Sequence, residues 1–457
     1  MESKNILKGK IGLEIHGYPV TKEKLFCKCK VSRERGLRAN SNICEICTGQ
    51  PGAKPMLPNE EAVKKAVTIG LMLGCKINNN LVWQRKHYDW PDMPKGYQNT
   101  ISGGVVGVGE GGKFMGVRIR SMHLEEDPAS WEPETGRVDY NRSGLPLIEI
   151  ITEPDFVSAD EVKLWLKKLI LHLGYLKIID SNAGIKVDVN VSTLKSERVE
   201  VKNISSIDDI GRAIEYELER QQEEGGNIKE TRRFDSVKGK TEVMRSKEEG
   251  ADYRFISDPD LVDIQLDKKF ILDIEKKLPE SPDEKLKKFI EKNKIDKKSA
   301  EVLAKNIDIA EFYEGVVKKI DAKFALPWVT IELLRHLNYN KTSLDKVDIS
   351  VEHFVSLLKL VKSGKITELQ GKQILNKFYP KSFDVTKELK GKEKIDDEKE
   401  LERVALDVIK ENKITVEKYL DGEQNAFNYL MGQIMNKTDR RADFLIARKV
   451  LEKLLKK

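Results

Sequence analysis

The chain has 457 residues, 81 Lys and Arg against 75 Asp and Glu, a net charge of +6 and 34% charged residues. This load is above the usual share of about a quarter. The length allows about three domains, and so balanced a charge excludes a histone-like polycation, so any nucleic acid must be met by a local patch. No apolar run reaches the roughly 18 residues of a membrane span, and the N-terminal MESKNILKGK lacks the apolar core of a signal peptide. The chain therefore reads as cytoplasmic, with no membrane partner.

From residue 1 to 290 the pattern is short alternating strands with occasional helices, an α+β fold. In Ile11–His16 (IGLEIH), Glu14 and His16 share one strand face and Leu13 and Ile15 the other. Five cysteines are too few for a disulfide framework in so long a chain. Four of them cluster, Cys27 and Cys29 as C-x-C and Cys44 and Cys47 as C-x-x-C, on either side of a loop that lets the pairs converge. That spacing suits tetrahedral Zn²⁺, and four sulfurs leave no open position, so the ion would hold structure. Cys75, after the apolar helix Ala62–Leu73, reads instead as a core residue.

Arg85–Gln98 (RKHYDWPDMPKGYQ) reads as a rigid loop, because Pro91 and Pro94 oppose regular structure, and it displays Lys86, His87, Tyr88, Lys95 and Tyr97. Gly107–Gly112 (GVGEGG) matches a dinucleotide-binding pattern but precedes a strand, which makes it a hairpin. The GK pairs at Gly239 and Gly364 lack the earlier glycine of a P-loop. His123–Asp127 (HLEED) supplies three acids after a histidine. In Lys186–Ser192 and Val199–Asn203, Asp188, Asn190 and Ser192, then Glu200 and Lys202, oppose valines. A hairpin over Thr193–Arg198 would bring Asp188 and Glu200 to one surface. Each fragment alone reads first as a half-buried antiparallel strand with a solvated face. Together, oxygen ligands with one imidazole point to Mg²⁺ or Mn²⁺ and a phosphate substrate.

Beyond Pro279 the composition turns to Lys, Glu, Leu and Ile at helical spacing. The lysine-rich Lys387–Lys399 is the expected linker, giving regions 1–290, 291–400 and 401–457. The last module is two amphipathic helices broken at Asn436–Asp439. Its final 22 residues hold eight Lys or Arg against three Asp or Glu, a phosphate-contact surface or simply a solvated helix face.

In order, IGLEIH, KLFCKC, CEICTGQPGAKP, RKHYDWPDMPKGYQ, HLEED, VDYNRSGLPLIEIITEPD, VDVNVS, VEVKNISS, ETRRFD, MRSKEEGADYRF, DPDL and FNYLMGQIMNKT resemble the B subunit of the aspartyl/glutamyl-tRNA amidotransferase, nearly end to end. The CEIC and RKHYD forms are of archaeal type, while Lys186 stands where an Arg is common. The resemblance implies a cradle-shaped, mostly antiparallel catalytic domain with a zinc-binding insert, a helical domain and a small tRNA-binding tail domain. It implies that ATP phosphorylates the side-chain carboxylate of mischarged Asp-tRNA(Asn) or Glu-tRNA(Gln). Ammonia from a glutaminase partner, the A subunit, then displaces phosphate, and a small C subunit completes a heterotrimer.

The family's metal pocket carries over onto Glu14, His16, Glu125 or Glu126, Asp188 and Glu200. Lys86 is the candidate for phosphate or substrate-carboxylate contact, Lys202 a second cofactor-binding lysine, and Tyr88 a pocket wall. The alternatives are the related archaeal E subunit, which acts on Glu-tRNA(Gln), and a zinc-stabilised tRNA-binding protein without catalysis.

Overall fold

The computed structural model describes residues 8–32, 36–88, 90–102, 106–180, 183–193, 195–225, 229–246, 253–388 and 394–456. The first seven residues of the N-terminal segment, Leu194 of the expected hairpin turn, residues 249–252 of the EGADYRF segment and residues 389–393 of the expected linker lie outside the described residues. The chain divides into two compact units, Met1–Glu280 and Ser281–Lys457.

The first unit is built on a twelve-stranded sheet. Its path runs Lys240–Ser246, Glu230–Asp235, Val199–Ile204, Ile185–Ser192, Lys10–Gly17, Pro146–Thr152, Val117–Glu126, Tyr97–Thr100, Gln84–His87 and Arg254–Ser257. Only the pairing of Val199–Ile204 with Glu230–Asp235 along this path is parallel. The period of two sorts the central strands into faces. Ile11, Leu13 and Ile15, Val187, Val189 and Val191, Val199 and Val201, Ile148 and Ile150, and Met122 and Leu124 are buried in one core. Helices Glu60–Met72, Ala159–Leu176 and Ile207–Glu224 contribute Ala66, Leu166 and Ile214 to that core. Asn59, Ser158 and Ser206 cap these helices by accepting hydrogen bonds from first-turn amides. The opposite sheet face carries the charged side chains.

Gly109–Phe114 pairs antiparallel with Val117–Glu126 through a turn at Met115 and Gly116, so the glycine-rich stretch is a hairpin, as its context implied. The expected loop Arg85–Gln98 is shorter than its prolines suggested. Gln84–His87 and Tyr97–Thr100 are paired strands, and Pro91 and Pro94 lie between them, where a missing amide donor costs no ladder bond.

The second unit is helical. Ser281 opens it with a capping box onto Pro282–Glu291. Phe289, Tyr313, Leu333, Phe354 and Phe378 form one core, and Leu401, Val408, Leu430, Ile434 and Leu451 a second. Helices Gln424–Lys437 and Phe444–Leu455 are separated by a turn in which Asp439 and Arg440 take positive φ. Among the described residues, no helix is long and apolar enough to cross a membrane.

Candidate active site and four-cysteine centre

The charged sheet face is assembled by register. Glu14 lies opposite Asp188, and Asn190 opposite Glu200, on neighbouring antiparallel strands. Like charges directly opposed destabilise a sheet unless a cation lies among them. Here Lys202 supplies one, donating to Asp188 Oδ2 at 2.9 Å and pairing with Glu200 Oε1 at 2.6 Å. A register shift places both Lys202 and Asn203 against Asp188. Asn203 takes φ 58°, and its amide donates to Asp188 Oδ1 at 2.7 Å. Burial disfavours charge on Lys202, but Asp188 and Glu200 outweigh it and hold the ammonium protonated. Burial, then Glu149 and Glu200, push the Glu14 carboxyl up. One oxygen from each of Glu14, Asp188 and Glu200 lies within 4.8 Å of the others. Asn190 donates to Glu14 Oε1 at 3.0 Å, while its own Oδ1 is buried without a hydrogen-bond partner. Three carboxylates and a spare buried oxygen fit a hard divalent cation such as Mg²⁺.

Beside this group stands a residue that the motifs do not single out. Glu149 pairs with His16 Nε2 at 3.3 Å and with His123 Nδ1 at 2.8 Å. Burial opposes the His16 charge, but the hydrogen bond and charge of Glu149 push its pKa up to about 9. Glu149 in turn is held well below the carboxylate range, the two imidazoles overcoming its burial. It lies within the VDYNRSGLPLIEIITEPD segment, where its signal is a single acid in the apolar run Leu145–Ile151, between Ile148 and Ile150 of the core face.

Glu125 is buried, and burial followed by Glu149 raises its pKa, with Lys86 opposing. Lys86 is half-buried, yet Glu125 and Glu149 keep it charged. Its ammonium lies 4.5 Å from the Tyr253 ring centroid, and Tyr88 packs edge-on to that ring. Arg85 bonds Asp258 and Asp260, tying the Gln84–His87 strand to the segment after Arg254–Ser257. Glu126 does not join this group. Strand alternation turns it away from Glu125, where it pairs with Lys95 and accepts from the Asn99 amide at 2.9 Å. Glu149, from the next strand, stands beside His16 instead.

The four expected cysteines also converge, with their sulfurs within 4.8 Å of one another and Cys44 Sγ 3.9 Å from Cys47 Sγ. A tetrahedral zinc with Zn–S near 2.3 Å sets sulfurs roughly 3.8 Å apart, so the donors fit. The Lys24 amide donates to Cys29 O at 2.9 Å and the Thr48 amide to Cys44 O at 3.1 Å, turning each pair back on itself. Cys75 is buried in the main core, apart from this group.

Residues 9–272 match the family described as the GatB/GatE catalytic domain, and residues 311–455 the GatB domain. The chain is 42% identical to the aspartyl/glutamyl-tRNA(Asn/Gln) amidotransferase B subunit of Methanocaldococcus jannaschii, with 96% of each chain covered. It is 41% identical to the protein of the same name from Methanopyrus kandleri, over 98% of each. The catalytic-domain match alone spans both the B and the E type. A GatB domain in the second half and full-length likeness to proteins named as the B type decide between them, and the chain belongs to the B-subunit family of the aspartyl/glutamyl-tRNA(Asn/Gln) amidotransferases, which are of the ligase type.

Proposed function

We propose that the charged sheet face activates the side-chain carboxylate of Asp on tRNA(Asn), Glu on tRNA(Gln), or both, by phosphoryl transfer from ATP, and then amidates it. The observation that carries this is the largely buried convergence of Glu14, Asp188 and Glu200 around the half-buried Lys202, beside His16, Glu149 and Lys86 on the same face. A carboxylate is a poor acyl electrophile, so conversion to an acyl phosphate must precede attack by ammonia. Mg²⁺ held by Glu14, Asp188 and Glu200 would neutralise charge on the phosphoryl oxygens.

Lys86 and Lys202, both kept charged by neighbouring acids, bind the anionic groups of substrate and nucleotide. Glu149 fixes the His16 ring, and Tyr88 walls the pocket beside Tyr253. When ammonia attacks the acyl carbon, a C–N bond forms, the C–O bond to phosphate breaks and nitrogen loses a proton. Glu125, whose raised pKa favours proton uptake, accepts that proton.

Ammonia comes from a separate glutaminase, the A subunit, with a small C subunit completing a cytoplasmic heterotrimer. Zn²⁺ on Cys27, Cys29, Cys44 and Cys47 braces an insert of the catalytic domain, 1–290. The helical domain, 291–400, and tail, 401–457, hold the tRNA. Exposed Lys449 and Lys453 support that role, as does a cleft of about 580 Å³ lined by Lys377, Asn436, Arg440 and Arg441.

Asp188→Ala and Glu200→Ala are expected to reduce amide formation about 10²- to 10³-fold, with tRNA binding nearly intact. Unchanged transamidation with ammonia supplied directly and excess Mg²⁺ would refute the site.

A further inference from the structure

We propose that Lys24 is the buried counter-ion of the four-cysteine centre, an inference resting on the zinc assignment above. Lys24 is 1% exposed, although Lys22, Lys28 and Lys30 around it are exposed. Lys28 pairs with Glu23. For Lys24, among the described residues, the partner is a carbonyl: Nζ donates to Tyr140 O at 3.2 Å, and no carboxylate pairs with it. A buried ammonium with three donors and one neutral acceptor is poorly compensated. Its compensation must come from a charge that forms nearby.

The geometry places that charge at the cysteines. A Cβ added at Gly144 would sit 3.6 Å from Cys47 Cβ and 3.7 Å from Lys24 Cδ, so the lysine stem and Cys47 flank the same glycine. The Leu25 amide donates to Gly144 O at 2.8 Å, and Ser143 Oγ donates to Cys47 O at 2.7 Å, fixing the two segments together. A divalent zinc bound by four thiolates keeps a net negative charge. Half-buried as this centre is, with Cys27 and Cys47 each 5% exposed, that excess charge is costly without a cation. Lys24 and the loaded centre thus each supply what the other lacks.

The test uses the full-length chain and Lys24→Met, which keeps an unbranched side chain one atom shorter and removes the charge. Metal analysis of wild type should find one zinc per chain; a zinc-free wild type overturns the assignment beneath the inference. Chelator competition should show the zinc dissociation constant of Lys24→Met raised about 10- to 100-fold. An affinity within about threefold of wild type overturns the counter-ion role while leaving the zinc site standing. If Lys24→Met does not accumulate folded, the Cys27→Ser/Cys47→Ser chain decides. There the lysine has lost its counter-charge, so adding Lys24→Met should raise the melting temperature. A lowered one makes Lys24 a packing residue and overturns the proposal.

Discussion

Glu149 does more at one position than its place in an apolar strand suggests. It is flanked by the buried Ile148 and Ile150, and it pairs with two imidazoles, those of His16 and His123. Glu149→Gln removes the negative charge but keeps the shape. In the metal-free chain the His16 pKa should then fall from about 9 toward or below its ordinary value, because burial opposes its charge. Stability should depend on pH at both ends. The His16 pKa is raised, so its contribution is complete below 6.5 and lost as pH rises through about 9. The Glu149 pKa is depressed, so its contribution is complete above 4.5 and lost in acid. The wild type should exceed Glu149→Gln most between those limits, by up to on the order of 3 kcal/mol. Imidazole NMR titration and melts across pH measure both, and an ordinary His16 pKa in wild type would sink the argument.

At the scale of elements, the Cys44–Cys47 turn is joined by close packing to the Pro94–Lys95 turn that leads into the Tyr97–Thr100 strand. Gly49 takes φ +64°, and a Cβ there would meet Pro94 O at 2.6 Å and Lys95 Cγ at 2.9 Å. Lys95 in turn pairs with Glu126, next to Glu125. Gly49→Ala should therefore combine backbone strain with a backbone clash, costing about 2–4 kcal/mol. Gly52→Ala is the control: φ is +85° but nothing lies within 4 Å, so about 1–2 kcal/mol is expected. Urea unfolding with zinc analysis tests this. Equal losses at the two glycines would remove the steric coupling, and if the four cysteines hold zinc, both variants should retain it because no cysteine is touched.

For the whole molecule, the two units carry separate cores. Among the described residues, the first core's buried members end at Ile274, and those of the helical cores begin at Phe289. A fragment of residues 281–457 is expected to unfold cooperatively on its own with a helical circular dichroism spectrum. If the second unit grips tRNA, that fragment should also bind it, with affinity falling steeply as salt rises. A fragment that stays unfolded would show that the helical unit depends on the first. One that folds but ignores tRNA would leave RNA binding to other surfaces.

The sequence alone determined whatever depends on local period and spacing. Alternation in IGLEIH, KVDVNVS and VEVKN named which side chains share a face, because successive strand residues point to opposite sides. C-x-C and C-x-x-C named the thiols that converge, since short spacings constrain where paired sulfurs can point. The strand-like stretch after the glycine run marked a hairpin there, because a dinucleotide site would need a helix at that point; its turn lies at Met115 and Gly116. Tertiary structure decided what depends on strand order and register. Glu149 joined His16 because Pro146–Thr152 lies beside Lys10–Gly17, a neighbour distant in sequence. Glu126 left the group because a one-residue step reverses a side chain. Lys24, one lysine among four between Lys22 and Lys30, was singled out by burial alone. Local pattern fixes which way a side chain points relative to its own strand, and only long-range pairing fixes what it meets there.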